Sequence, residues 1–175
     1  LGLEISMASP QDFVVDSGNV VFDYITLKGP AKLDVLFFTG KAYGSGMSPF
    51  AWSGSQSIAA DSGYTPNTPA IMWSQDPGQA WTGFGWDMPA KFLKYRWPLD
   101  SLKFKLKAPS GTGTLRAQFE DGVDKVGINF NPTDDGAWHE YALPLRDFVY
   151  FDGSTTFDTS AVTVFQFLAE GTGNG

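Results

Sequence analysis

The stretch "AWTGFGWDM", residues 80–88, sets aromatic planes, bare backbone and a carboxylate at alternating positions. With the two-residue period of a β-strand, one face carries Trp81, Gly83, Gly85 and Asp87, and the other carries Thr82, Phe84 and Trp86. The first face suits a sugar. A pyranose ring offers an apolar C–H surface to an indole and a rim of hydroxyls to paired donors and acceptors. Two glycines in succession on that face open a trough where a ligand can approach backbone, with an aromatic at one end and a carboxylate at the other. The second face reads as core. In "TLRAQFED", residues 114–121, Arg116, Gln118 and Glu120 form a row of long hydrogen-bonding side chains, which Asn129 extends. A plain solvated face is the competing reading of that row.

Bond-breaking chemistry finds less support. The single histidine, His139 in "WHEYALP", has no G-x-S-x-G partner motif and reads as a solvent-facing strand residue. Glycoside hydrolysis needs a pair of carboxylates flanking the scissile bond. Glu120, Asp121, Glu140 and Glu170 are available, but "FED" and "DDG" read as turn acids, and no E-x-D-x-x-E strand is present. No catalytic residue is expected.

A net charge of −7 argues against nucleic acid and against an anionic membrane surface as partners. There is no cysteine, hence no disulfide framework and no thiolate chemistry. No apolar run approaches the roughly 20 residues that span a bilayer. No signal-peptide pattern occurs, so any targeting segment is expected to have been removed or to lie outside this stretch. The 175 residues suit one domain with a sizeable core. Twenty glycines, 11 prolines and an aromatic content of 15% suit short strands joined by tight turns.

The elements that must position the candidate residues follow from alternation. "LGLEIS", "NVVFDYITL", "KLDVLFF", "PAIMWSQ", "AWTGFGWDM", "SLKFKLKA", "TLRAQFED", "VGINFNP", "WHEYALPL" and "VTVFQFLAE" read as strands. Leu102, Phe104 and Leu106 point inward, with Lys103, Lys105 and Lys107 in water; Leu115, Ala117 and Phe119 point inward, as do Tyr141, Leu143 and Leu145. The Gly/Ser/Pro-rich stretch 44–69 and the segment 146–160 read as connections, and 89–98 as a loop or a single helical turn. No segment keeps helical periodicity over three turns. The expected fold is all-β, a sandwich of two antiparallel sheets.

The order "LDSLKFKLKAPSGTGTLRAQFED", "GAWHEYALPLRDF", "VTVFQFLAEGTGNG" resembles the second half of a jelly-roll carbohydrate-binding module of the galactose-binding-domain-like group, nearest to the family 11 glucan-binding modules. The likeness covers residues 66–175 well and 31–60 weakly. It implies a jelly roll that binds a polysaccharide chain, of β-glucan type, as a non-catalytic module of a larger secreted protein, with localisation extracellular or at the cell surface. The family's cleft-lining aromatics match Trp52, Trp81 (with Ala80 as the alternative register) and Tyr150, while Trp73 matches a core position. Trp138 reads as an edge plug and Trp97 has no assigned place. The family's structural calcium matches Asp23 and Asp34, although Tyr24 stands where a second acid is common.

The family's closing motif is what "GNVVFDYITLKG", residues 18–29, resembles, and "LGLEIS" resembles a second copy of "VFQFLAE". Residues 1–29 therefore look like the tail of one module and 30–175 like the body of the next. Residues 17–27 are expected to supply the closing strand, within the chain or by exchange with a neighbouring copy, giving a strand-swapped dimer. A structural or adhesive spacer without a glycan ligand is the alternative function, and a glycan-active jelly-roll enzyme a third.

Overall fold

Alternating apolar residues with no run long enough for an amphipathic helix leave the chain little choice but sheets. The computed structural model describes residues 13–16, 19–22, 37–76, 78–89, 93–94 and 96–170. The chain divides into two units, Leu1–Leu33 and Asp34–Gly175; the sequence expectation put that boundary at 29/30. In the first unit, β1 (Phe13–Asp16) and β2 (Asn19–Phe22) form an antiparallel hairpin that pairs Phe13 with Phe22 and Val15 with Val20. "LGLEIS" and the remainder of residues 17–27 lie outside the described residues.

The second unit is an antiparallel β-sandwich. Its strands are β3 (Ser48–Trp52), β4 (Gly54–Ala59), β5 (Ala70–Gln75), β6 (Trp81–Asp87), β7 (Ser101–Lys107), β8 (Leu115–Glu120), β9 (Lys125–Phe130), β10 (Trp138–Pro144), β11 (Val149–Tyr150) and β12 (Val164–Glu170). Six of them form one sheet in the order β11-β9-β8-β12-β6-β3. The facing layer holds two separate two-stranded sheets, β10-β7 and β4-β5. Among the described residues a 3-10 turn, Leu145–Asp147, stands in place of any α-helix.

The core is aromatic. Phe165, 1% exposed, stacks parallel to Trp86 at 5.8 Å and meets Phe37, Phe119 and Phe167 within 5.1 Å. From the facing layer, Phe104 packs on Phe130 and Phe167. Leu102, Leu115, Ala117 and Phe119 are buried as their alternation requires. Trp73 sits partly buried against Phe84, a structural position. Trp97 packs edge-on against Phe148 and beside Phe157. Trp138 meets Tyr64 edge-on at 6.4 Å.

Three local expectations change. The connection 44–69 contains β3 and β4, and 146–160 contains β11. Residues 32–36 of "KLDVLFF" lie outside the described residues, and that strand expectation is not among those changed; Phe38 makes an isolated bridge with Tyr43. His139 is half-buried rather than facing solvent. It pairs with Leu106, whose side chain points inward, and its Nε2 lies 3.0 Å from the Asp135 carboxylate. A backbone N–H from Ala137 and the contact with His139 hold the Asp135 carboxyl below its ordinary value.

Candidate functional site

Register decides which side chains share the outer face of the six-stranded sheet, because cross-strand partners point the same way. One row runs Trp52, Gly83, Leu168, Arg116, Asn129. The next runs Phe50, Gly85, Gln166, Gln118, Gly127. A third runs Ser48, Asp87, Val164, Glu120, Lys125. Seven of the eight sugar-binding residues expected from sequence (Trp52, Trp81, Asp87, Arg116, Gln118, Glu120 and Asn129) therefore share one face. The eighth, Tyr150, pairs with core residue Val126 and so belongs to the opposite face, 52% exposed at the sheet's edge.

Two clusters occupy the face. The first is a chain of amides. Trp52 Nε1–H donates to Gln166 Oε1 at 3.1 Å, Gln166 Nε2 donates to Glu120 Oε1, and Gln118 Nε2 donates to the same oxygen at 2.8 Å. Gln118 is 1% exposed and Gln166 8% exposed, and Gln118 Oε1 has no partner. Buried amides cost free energy unless paired, so the Glu120 carboxylate, a strong acceptor, is what lets both sit inside the face.

The two glycines serve this cluster. A Cβ on Gly83 would lie 2.6–2.7 Å from three atoms of the Trp52 indole, and one on Gly85 would strike Phe165 O and Gln166. The trough expected from "TGFGW" is therefore filled by the chain itself: Trp52 lies across Gly83, and β12 approaches closely at Gly85. Gln118 likewise does not reach for solvent as the alternation implied, because the carboxylate two residues along binds it inward. Gly83→Ala is expected to lift the Trp52 ring and cost about 1–3 kcal/mol, the usual range for an overpacked site. Urea unfolding checks this, and an unchanged midpoint would show that the indole moves freely.

The second cluster is open. The Arg116 guanidinium lies 5.3 Å from the Trp81 ring centre and 3.9 Å from that of Phe151, and its Nε–H donates to Asn129 Oδ1 at 3.0 Å. Trp81 is 37% exposed, and Asn129 is exposed. Arg116 thus ties two aromatic planes into a single platform. Trp81 belongs to β6 and pairs with Glu170, which places it, rather than Ala80, on the ladder. Phe151 was not singled out from sequence. It follows the two-residue strand β11, and its ring covers Gly127. Extending the alternation by one residue beyond Tyr150 is the signal that finds it.

Phe151 rides on a loop pinned by two acids at the β8–β9 turn. Asp121 accepts the backbone N–H of Val123, Asp124 and Asp158, and Asp124 accepts Thr155 N–H and the Thr156 hydroxyl. Partial burial raises the Asp121 carboxyl, but those backbone donors outweigh it and hold it below 3.8. A depressed value means the stabilisation is whole above pH 3.8 and is lost as pH falls toward the lowered value. Thermal unfolding is expected to show a declining acid limb below about pH 4, flattened in Asp121→Asn. An identical limb in that variant would locate the acid sensitivity elsewhere.

Asp23 and Asp34, the expected calcium pair, lie outside the described residues. Among the described residues no group of three or more His, Cys, Asp or Glu is placed to hold a metal. No protein-family model matches the chain, and no curated protein matches it.

Proposed function

We propose that the outer face of the six-stranded sheet binds a polysaccharide chain without catalysis, the protein acting as a carbohydrate-binding module of a larger secreted protein. The observation that carries this reading is the platform of Trp81, Arg116 and Phe151 beside exposed Asn129. Flat apolar surface flanked by fixed hydrogen-bonding groups is what a sugar ring needs. The chain of Trp52, Gln166, Glu120 and Gln118 acts as the stiff floor from which that platform stands. This divides the roles: Trp81, Phe151, Arg116 and Asn129 meet the ligand, while Gln118 and Glu120 position the surface. A β-glucan is favoured by the resemblance in strand order.

Each stacked aromatic contributes about 1–3 kcal/mol by burial. A shallow site with few such contacts gives affinities in the micromolar to millimolar range, roughly −4 to −8 kcal/mol. Affinity gels across β-glucans, xylans, mannans and galactans, run with and without calcium, test the reading. Selective retardation on one polymer is the expected result. Free migration on every polymer under both conditions would favour a structural spacer instead.

A further inference from the structure

The layer facing the six-stranded sheet has an outer surface of its own, and its charge runs against that of the chain. Lys103, Lys105 and Lys107 of β7 are exposed, spaced about 7 Å apart along the strand. Register sets Ala142, Glu140 and Trp138 of β10 beside them in turn. Lys105 Nζ lies 3.0 Å from Glu140 Oε1; among the described residues no other lysine of the row has a carboxylate partner. Tyr64 reaches this surface from the connection between β4 and β5 and is 49% exposed. Its ring centre lies 3.4 Å from Lys105 Nζ, and it meets Trp138 edge-on at 6.4 Å. These two rings and the three lysines border one concavity of about 610 Å³, where exposed Lys41 joins them. Among the described residues no Asp or Glu borders it.

Four ammonium groups around a concavity without a carboxylate are a local inversion of charge in a chain of net charge −7. At physiological salt the screening length is about 8 Å, so a ligand seated here feels these lysines above the acids elsewhere. We propose that this surface binds a carboxylated polysaccharide, a chain of uronate units, at a site separate from the platform of Trp81, Arg116 and Phe151.

The chemistry of the surface selects this occupant. A neutral glycan uses the rings and gains nothing from the charges. An acidic sugar uses both: its apolar ring face lies on the Tyr64 and Trp138 planes, and its carboxylate accepts from an ammonium. The Tyr64 ring also holds Lys105 by a cation–π contact. Lysine offers a rotatable point charge rather than a planar fork, so the row follows repeated carboxylates without demanding one register. Glu140 competes weakly, because an ion pair between exposed groups contributes little. A nucleic-acid duplex or an anionic vesicle extends past the patch and meets the acidic remainder of the surface, which disfavours both.

Affinity gels holding polygalacturonate or alginate, run with a chelator so that calcium bridges no chains, test this. Retardation on at least one polymer is expected, weakening about tenfold as salt rises from roughly 50 to 500 mM. The same polymer with its carboxyls reduced to alcohols should not retard the protein. Lys103→Gln/Lys107→Gln and Tyr64→Ala should each weaken retention by about tenfold. Trp81→Ala should leave it unchanged, so this site and the one on the six-stranded sheet stand or fall separately. Should the lysine variant fail to fold, the reduced polymer and the salt series decide on the unsubstituted protein. Free migration on both polymers, equal retardation on the reduced polymer, or undiminished retention of the folded lysine variant overturns the proposal. Tighter binding to a sulfated glycan, to duplex DNA or to phosphatidylserine vesicles overturns the assignment to a carboxylated sugar.

Discussion

Trp81→Ala is expected to abolish measurable polysaccharide binding while leaving the fold intact. The indole is 37% exposed at the start of β6, outside the buried aromatic cluster, so its loss opens no core cavity. On the outer face it forms one end of the platform with Arg116 and Phe151. Removing one plane takes away about 1–3 kcal/mol of stacking, and it also frees Arg116 from one of its two rings. At millimolar affinity a loss of that size puts binding beyond detection. Affinity gels paired with thermal unfolding separate the two effects. Retained retardation with an unchanged melting temperature would remove Trp81 from the site. Tyr150→Ala serves as the contrast: its strand position faces the other way, so binding should persist.

The largest loss of stability on this face is expected from Glu120→Ala. One carboxylate oxygen accepts from both Gln118 and Gln166, and neither amide has another acceptor for that N–H. A hydrogen bond to a charged group contributes roughly 1.5–3 kcal/mol, and an orphaned buried donor costs a similar amount. Glu120 is only partly buried, so water recovers some of this, and the expected net loss is about 2–4 kcal/mol. Glu120→Gln keeps the shape and one neutral acceptor, and should lose about half as much. Urea midpoints at constant slope report both. Equal midpoints for the two variants would mean that shape, not the acceptor, supports the amides. Glu120→Ala should also weaken binding indirectly, because Trp52 is tied to Glu120 through Gln166.

Much of the sandwich was legible because its strands obey a simple rule. In β7, β8 and β12 an apolar residue recurs at every second position, β6 and β10 depart from that only at Thr82 and His139, and burial against a second layer forces the period. The exceptions are instructive. "SPFAW" runs its apolar residues together and "GSQSIA" has only two, adjacent at its end, so neither alternates, and their strand form comes from neighbours: β3 gains a ladder from β6, and β4 one from β5. The two residues of β11 are too short to show any period. The family resemblance points to Tyr150, whereas Phe151 is the residue that meets Arg116.

Sequence alone determined the all-β class and which residues of "TLRAQFED" and "AWTGFGWDM" share a face, since those follow from a two-residue period within one strand. Only the tertiary structure decided what each outward residue does. Gly83 looks like open backbone until Trp52, 31 positions earlier, lies across it. Gln118 looks like a ligand-binding amide until Glu120 turns it inward and β12 brings Gln166 alongside. Strand pairing joins residues far apart in the chain, and the choice between binding a ligand and binding a neighbour depends on which side chain arrives first across the sheet.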